Sequence, residues 1–204
     1  MHCLSRPFRT AFVVPLAAAC LLAGCASDGE SSAEFRLMDA PPPGVTSVKI
    51  HVLAIHAHVD DKSAKDADPT DAKIDDSAKW VVLGVGRTID LVAHQGESAA
   101  DVLGKLNLPD GKITQIRLVV DTIKAGTATF NGKDCALDMT KVAKKGIKIN
   151  HVFKAFETGV EKHHIVWVDF ELDNSMKDDK KGCFELEPKL KLHKVKRDGV
   201  DVAL

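Results

Sequence analysis

Alternation of apolar and polar residues with a period of two runs through most of the chain. Near the C-terminus, Phe184, Leu186, Leu190 and Leu192 alternate with charged residues, which places one side of a strand in a core and the other in water. Similar runs cover residues 34–39, 47–59, 80–83, 87–91, 113–123, 127–130, 147–156 and 163–172. The pattern predicts about seven to nine short strands.

Turn and helix patterns complete the predicted architecture. Asn131-Gly132 is the dipeptide that a two-residue type I′ hairpin requires, because both positions need a positive φ. Gly84-Val85-Gly86 is interpreted as a turn between two strands, and residues 98–106 form the single predicted helix, with Ser98 as its N-cap. Many short strands with one short helix predict an all-β fold, an antiparallel β-sandwich.

The predicted strand 47–59 changes its phase halfway along. Val48, Ile50 and Val52 share the parity of His56, whereas the later apolar residues have the opposite parity. An extra residue in the strand, a β-bulge near Leu53, restores one continuous apolar side. Such a bulge turns the histidines at positions 56 and 58 outward.

The N-terminus has the three parts of an export signal. Arg6 and Arg9 come first without any acidic residue, and an apolar run follows at 11–23, far shorter than the roughly 20 residues that span a membrane. The next residues, Leu22-Ala23-Gly24-Cys25, resemble the bacterial lipobox. We expect residues 1–24 to be removed as a signal peptide and the Cys25 sulfur to carry the lipid that anchors the protein to the membrane.

The rest of the chain divides into a tether, a domain and a tail. Residues 25–33 are small and polar and predict a flexible tether that packs against nothing. Residues 34–197 are predicted to form a single domain, a size at which one core buries most apolar surface, with 198–204 as a C-terminal tail. Ala26 is not Asp, and by resemblance to the enterobacterial sorting pattern this predicts the outer membrane.

Charge and cysteine content narrow the expectations further. Loss of residues 1–24 removes two arginines and takes the net charge from −1 to −3, too little for strong electrostatic steering. Of five cysteines, only Cys135 and Cys183 remain in the predicted domain without another role. In an oxidising envelope compartment these two are expected to form a disulfide. A zinc site is the weaker alternative, since neither has a CxxC neighbour.

Residues 60–79 differ in composition from everything around them. They are mostly Asp, Lys, Ala and Ser, with Pro69 inside, and cannot bury a core face. We interpret them as a long solvated loop between two strands. Asp66, Asp68 and Asp71 lack the glycine and glutamate spacing of a calcium loop.

Several short motifs resemble the bacterial domain-of-unknown-function family 4382. In chain order they lie at residues 35–41, 48–58, 88–91, 108–111, 114–118, 168–170 and 186–190. The resemblance implies a β-sandwich of a Greek-key or transthyretin-like kind, found in exported proteins and lipoproteins, with no established activity and no catalytic residue. The charged segment 60–79 and the cysteine pair depart from the family pattern.

A strand motif supplies the one candidate for metal chemistry. His56, His58 and Asp60 share one parity, so a regular strand offers two imidazoles and a carboxylate to one ion. The alternative is a pair of exposed histidines at the end of a strand. A catalytic zinc needs a third ligand near both imidazoles, and the expectation is that none of the remaining candidates supplies it: His94, His151, His163 and His193.

Nothing else in the sequence favours catalysis. There is no GxSxG motif and no cysteine left as a nucleophile, so enzyme activity is unsupported and no cofactor is predicted. A row of basic residues is interpreted by default as a solvated strand face, with contact to an anionic surface such as lipid headgroups or polysaccharide as the alternative. Nucleic-acid binding is poorly supported, because acids begin the same face and no aromatics interleave. The row consists of Lys189, Lys191, His193, Lys194, Lys196 and Arg197.

Two functional hypotheses remain. The leading one is a non-enzymatic, lipid-anchored module of the cell envelope, attached to the membrane through Cys25 and binding a protein or glycan partner, with the loop 60–79 as a candidate contact. The alternative is a metal-binding protein or metal-dependent hydrolase that uses His56, His58 and Asp60.

Overall fold

Two β-sheets facing one core make up most of the part of the chain that the computed structural model describes: residues 31–60, 80–124, 126–145, 147–148 and 155–204. In chain order the strands are β1 (Ser31–Met38), β2 (Val45–Asp60), β3 (Trp80–Asp90), β4 (Asp101–Leu108), β5 (Lys112–Val120), β6 (Thr127–Phe130), β7 (Lys133–Ala136), β8 (Ile147–Lys148), β9 (Phe156–Glu157), β10 (His163–Asp169), β11 (Met176–Asp178), β12 (Phe184–Leu186), β13 (Lys191–Arg197) and β14 (Val200–Asp201). The helices are α1 (Thr140–Lys145), α2 (Leu172–Ser175) and a 3-10 turn at Leu91–Ala93. The predicted all-β sandwich is confirmed.

The first sheet has the strand order β14-β13-β10-β1-β4. Its strands are antiparallel except at the centre, where β1 lies parallel to β10. The second sheet has the order β7-β6-β2-β5-β8. In addition, β3 pairs with the edge of β2 opposite to β5, and β9 pairs with β5. A separate two-stranded sheet joins β11 to β12. The parallel pair is a departure from the purely antiparallel sheet that the sequence predicted.

The core lies between the two sheets and follows the alternation of the sequence. In β1, every second residue is buried, including Ala33, Phe35 and Leu37 at 1% exposure or less. Ile55 and Ile116 face them from the second sheet, at 2% and 3% exposure. Period-two burial is what a strand with one face in a core and one in water requires.

The bulge expected in β2 is present at Leu53. The register against β3 and β5 shifts between Val52 and Ala54, and burial changes phase directly after this shift, between Ala54 and Ile55. Leu53 itself is 42% exposed. Opposite this bulge, Gly84 and Gly86 lie inside β3, so the expected turn at these residues is wrong: β3 runs unbroken past the irregularity, with Gly86 at φ +62.

The helix expected at residues 98–106 is wrong, because β4 occupies most of this segment. A bulge at Leu103 explains the error. Phe35 pairs with Gly104 and the next residue of β1 pairs with Val102, so Leu103 is an extra residue that turns its side chain into the core. The resulting spacing of three between buried Leu103 and Leu106 imitates one helical turn.

Both ends of the described chain are more ordered than the sequence indicated. Ser31 and Ala33 are buried in β1, so the expectation that residues up to 33 pack against nothing is wrong for residues 31–33. Their burial follows from strand pairing on both sides, with β4 and β10. In the expected tail, Val200 and Asp201 form β14 on the edge of β13.

The number of strands exceeds the expected seven to nine for a simple reason. Within the described residues, seven strands have seven residues or more, and the rest have four or fewer. The four-residue β6 was expected at 127–130, but most of the other short strands have only two or three residues, fewer than the four to eight over which alternation is recognised.

The predicted hairpin and crosslink occur together. Asn131 and Gly132, at φ +48 and +75, connect β6 to β7 as a type I′ turn does. Cys135 of β7 is bonded to Cys183, with the Cα atoms 5.7 Å apart, which fits the pairing that the sequence suggested. Phe184 beside the bond meets the Phe130 ring edge to face at 5.3 Å. The disulfide therefore fastens the β6–β7 hairpin to β12.

Removal of this disulfide gives a stability prediction. The bond closes a loop with a sequence separation of 48, and the chain-entropy model assigns about 4 kcal/mol to such a loop as an upper figure. We expect the Cys135→Ser/Cys183→Ser variant to lose up to that amount of unfolding free energy, measured by urea denaturation. Reductant should bring the unmodified protein to the same stability and leave the variant unchanged. Equal stability of the oxidised and reduced forms would contradict the prediction.

Candidate functional site

The histidines of the strand motif lie on the outer face of the second sheet. The bulge at Leu53 turns His56 and His58 away from the core, and both are half-buried. His58 Nδ1 lies 2.7 Å from the Thr114 hydroxyl oxygen and 3.9 Å from Asp60 Oδ2. Contacts with its own sheet thus occupy His58.

A metal centre does not form at this position among the residues that the structure describes. No three His, Cys, Asp or Glu side chains there are grouped closely enough to hold an ion. The other candidate ligands lie elsewhere: His94 contacts Ala99 O, His163 contacts Ser32, and His193 contacts Glu97. His151 and the acidic residues 66, 68 and 71 lie outside the described residues.

An aromatic and cationic cluster surrounds the two histidines instead. The Arg117 guanidinium lies 4.6 Å from the ring centre of Trp80, within the range of a cation–π interaction. The Trp80 ring is also 5.0 Å from His58, edge to face, and 6.1 Å from His56. Val82, two residues after Trp80 on the same face of β3, is 53% exposed. We call this surface of Trp80, Val82, His56, His58 and Arg117 the Trp80 face.

Strand register brings the Trp80 face together. His58 pairs with Trp80 of β3, and His56 pairs with both Val82 of β3 and Arg117 of β5. Cross-strand partners on one face of a sheet lie about 5 Å apart, so three strands deliver one cluster. No local sequence pattern reveals this cluster, because Trp80 and Arg117 are distant in the chain. Their outward parity in the alternating pattern was the available clue.

The histidine and arginine side chains of the Trp80 face differ in charge. Burial lowers the pKa of His56 below its usual value, and the nearby Arg117 charge lowers it further. The neutral imidazole is therefore favoured in the folded protein. Permanent positive charge on this face comes from the Arg117 guanidinium, which stays protonated at all accessible pH values.

Three residues of the expected basic row, His193, Lys194 and Lys196, lie near acidic side chains from other segments. Lys194 and His193 both contact Glu97, at 3.1 and 3.2 Å, and Lys196 lies 3.9 Å from Asp201. These acids come from a distant loop and from β14, so the sequence pattern of β13 could not reveal them. An anionic surface would have to compete with acids already in place.

A buried hydrogen-bond network fixes the point where β1 begins. The Ser31 hydroxyl donates to the backbone oxygens of Thr158 and Lys162, at 3.2 and 3.0 Å. The Thr158 hydroxyl donates to Pro109 O and accepts from Gly111 N, both at 2.9 Å. Thr158 is fully buried. The network thus ties the start of β1 to the β4–β5 turn and to the loop before β10.

Gly111 and His164 also stabilise the end of the sandwich where β1 begins. A Cβ on Gly111 would lie 2.5 Å from Asp60 O, so only glycine allows the β4–β5 turn to pack against the end of β2. His164 is fully buried with Nδ1 3.4 Å from both the Ser31 hydroxyl and Ser32 O. Burial lowers its pKa, so the neutral ring is the native form. We call this region, at the start of β1, the Ser31 end.

Asp39 organises the opposite end of β1. Its side chain is 2% exposed, and Oδ1 accepts a hydrogen bond from Leu172 N at 2.9 Å, at the start of α2. Its backbone N donates to His94 O at 3.1 Å. Burial raises the pKa of this carboxyl to about 6, assisted by the charges of Asp169 and Asp173 and opposed by backbone hydrogen bonds. We call this region the Asp39 end.

Fold and surfaces together define an all-β sandwich domain, and its family follows from comparison with known proteins. The model of the family described as Domain of unknown function (DUF4382) matches residues 30–188. The chain belongs to this family, which confirms the resemblance found in its motifs. None of the described helices is long and apolar enough to cross a membrane.

Comparisons with individual proteins add little beyond the family. No protein with a curated description matches the chain. A crystal structure from Bacteroides eggerthii DSM 20697, whose description proposes a cell adhesion protein, aligns with 82% of this chain at 11% identity and a TM-score of 0.30. The chain spans 55% of that protein, and a likeness this distant carries no functional argument.

The buried Asp39 carboxyl leads to a prediction about pH. Because its pKa is about 6 in the folded protein against 3.8 unfolded, the charged form destabilises the fold, fully above pH 6 to 7 and only slightly near pH 4. Asp39→Asn keeps the acceptor for Leu172 N without the charge. Relative to the unmodified protein, the variant should gain up to about 3 kcal/mol of unfolding free energy between pH 4 and pH 8.

Urea denaturation across that pH range measures the difference. The exposed acid Glu161 supplies the control, since Glu161→Gln removes a charge without removing a buried one. Parallel pH profiles of the Asp39→Asn and unmodified proteins would show that the buried carboxyl carries no such penalty.

Proposed function

We propose that the protein is a lipid-anchored, non-enzymatic module of the bacterial cell envelope that binds a protein or glycan partner. Its acylated Cys25 holds it to the outer membrane, and its β-sandwich supplies the binding surface. Membership of a β-sandwich family and the lipobox at residues 22–25 support this proposal.

The Trp80 face carries the binding part of the proposal. Trp and Arg are enriched at the energetic centres of protein interfaces, because one side chain combines a large apolar surface with a polar group. Here Trp80, Arg117 and two imidazoles form one cluster beside an exposed Val82. Trp faces also stack on the apolar faces of sugar rings, so a glycan fits the same chemistry as a protein.

The charged segment adjoins this face. Asp60 ends β2 just before it, and Trp80 begins β3 just after it, so the segment leaves and rejoins the sandwich at the Trp80 face. Residues 61–79 lie outside the described residues, and a role for them in partner contact remains the prediction made from their composition.

The anchor is tested by replacing its sulfur. Cys25→Ala should leave export intact but move the protein from the membrane fraction to the soluble envelope fraction, because diacylglycerol attachment requires the thiol. Immunoblotting of fractionated cells measures the distribution. Cys20→Ala, a change inside the expected signal peptide, is the matched control and should leave the protein with the membrane. Unaltered membrane association of the Cys25→Ala protein would refute the anchor.

The binding surface is tested by site-specific photocrosslinking in intact cells. A photoreactive residue at Val82 should yield one dominant crosslinked product, since this side chain is exposed within the Trp80 face. The same residue at Ile123, which is 94% exposed outside that face, is the control. Trp80→Ala should reduce the Val82 product several-fold. Identical products from both positions would count against the Trp80 face.

A further inference from the structure

Two exposed apolar side chains lie at the Ser31 end of the sandwich. Val160, 51% exposed, is in the loop before β10, and Val200, 70% exposed, opens β14. The loops are neighbours, because Asp198 N donates to His163 O at 2.8 Å and Lys162 pairs with the Asp198 carboxylate at 3.1 Å.

Strand register places these loops at the end where the chain enters the domain. Ser32 of β1 pairs with His163, the first residue of β10, and Ser31 pairs with Leu108, the last residue of β4. His164 in turn pairs with Arg197, the last residue of β13. Val160, three residues before β10, and Val200, three residues after β13, therefore lie close to strand ends adjacent to Ser31.

Chain length then limits how far this end can lie from an anchored cysteine. Six peptide steps separate Cys25 from Ser31, and even a fully extended chain covers at most about 21 Å over that length. The hydrogen bonds of the Ser31 hydroxyl and the burial of Thr158 prevent β1 from peeling away to lengthen the reach. A domain held this closely at one end meets the lipid surface with that end.

We propose that the Ser31 end rests on the phospholipid surface, with Val160 and Val200 inserted among the headgroups, so that the Asp39 end points away from the membrane. This inference rests on the lipid anchor of the proposed function. Tethering raises the local concentration of the surface to the order of millimolar, at which weak apolar contacts become populated.

Charge around the two valines agrees with an apolar rather than an electrostatic contact. Lys162 is paired with Asp198, and Lys196 lies 3.9 Å from Asp201. Among the described residues around the two valines, the cations Lys162, Lys196 and Arg197 are matched in number by the acids Glu161, Asp198 and Asp201, so this end has no excess of positive charge for anionic lipids to attract. Insertion should accordingly depend little on lipid charge or on salt.

Fluorescence quenching in vesicles tests the orientation. The lipidated protein carrying Val160→Cys or Val200→Cys is labelled with an environment-sensitive fluorophore and reconstituted into phosphatidylcholine vesicles that contain headgroup spin-labelled lipid. Cys25 is acylated and Cys135 is bonded to Cys183, so the label attaches at the new thiol. The control is Ile123→Cys, three residues beyond the far end of β5. This strand starts near the Ser31 end at Lys112 and is about 26 Å long.

The expected result is at least about twofold stronger quenching at Val160 and Val200 than at Ile123, as for side chains within 5–10 Å of the headgroup boundary. The difference should persist in high salt and with anionic lipid. Equal quenching at all three positions in protein that floats with the vesicles would overturn the orientation while leaving the anchor intact. Failure to float would instead refute the anchor. Shielding of both valine probes in unlipidated Cys25→Ala protein without vesicles would indicate a second copy as the occupant, and would also overturn the proposal.

Discussion

The pairing of β1 between β4 and β10 is the contact on which the rest of the structure depends. β1 is the first described element, yet its parallel partner lies about 130 residues later in the chain. Without β1, the antiparallel group β10-β13-β14 has no connection to β4, and the first sheet falls into two pieces. Parallel strands need a long crossover between them, and here the crossover contains the whole second sheet as well as β4.

The position of β1 between β4 and β10 also gives the sandwich two unlike ends. At the Ser31 end, the Ser31 and Thr158 hydroxyls satisfy backbone groups of two loops, and glycine at position 111 allows the close approach to β2. At the Asp39 end, a buried carboxyl holds the first turn of α2. At both ends these side chains are polar and buried, and in such surroundings a satisfied hydrogen bond matters most because an unpaired group is costly. Their positions at the two termini of one strand explain how β1 is fixed lengthwise.

The two tryptophans illustrate how similar residues acquire different roles. Each lies on an outer sheet face next to an arginine: Trp80 beside Arg117 and Trp167 beside Arg36. Trp167 is only 5% exposed, since Arg36 and Lys194 lie over its ring. Trp80 lies instead beside histidines and an exposed valine. The first arrangement completes a surface within the domain, and the second leaves a surface suited to a partner.

Local patterns were sufficient where the deciding interactions are local. Alternation predicted most long strands, the phase change in 47–59 predicted the bulge at Leu53, and Asn131-Gly132 predicted its hairpin, because side-chain parity and positive φ are properties of adjacent residues. The cysteine pair followed from elimination. The prediction of a helix at 98–106 was wrong for the converse reason. Leu103 is a bulge residue opposite Phe35, and a bulge in one strand depends on the partner strand.

The sequence by itself determined the β class, the family, most strand positions, the hairpin and the expectation of an export signal with a lipidated Cys25. Only the tertiary structure decided which outward residues meet. Register across three strands assembles the Trp80 face, Glu97 and Asp201 pair with part of the basic row, and β1 brings Ser31 beside the loops that carry Val160 and Val200. Such contacts join residues far apart in the chain, and their free energy depends on distance and burial in the folded state, which no local pattern encodes.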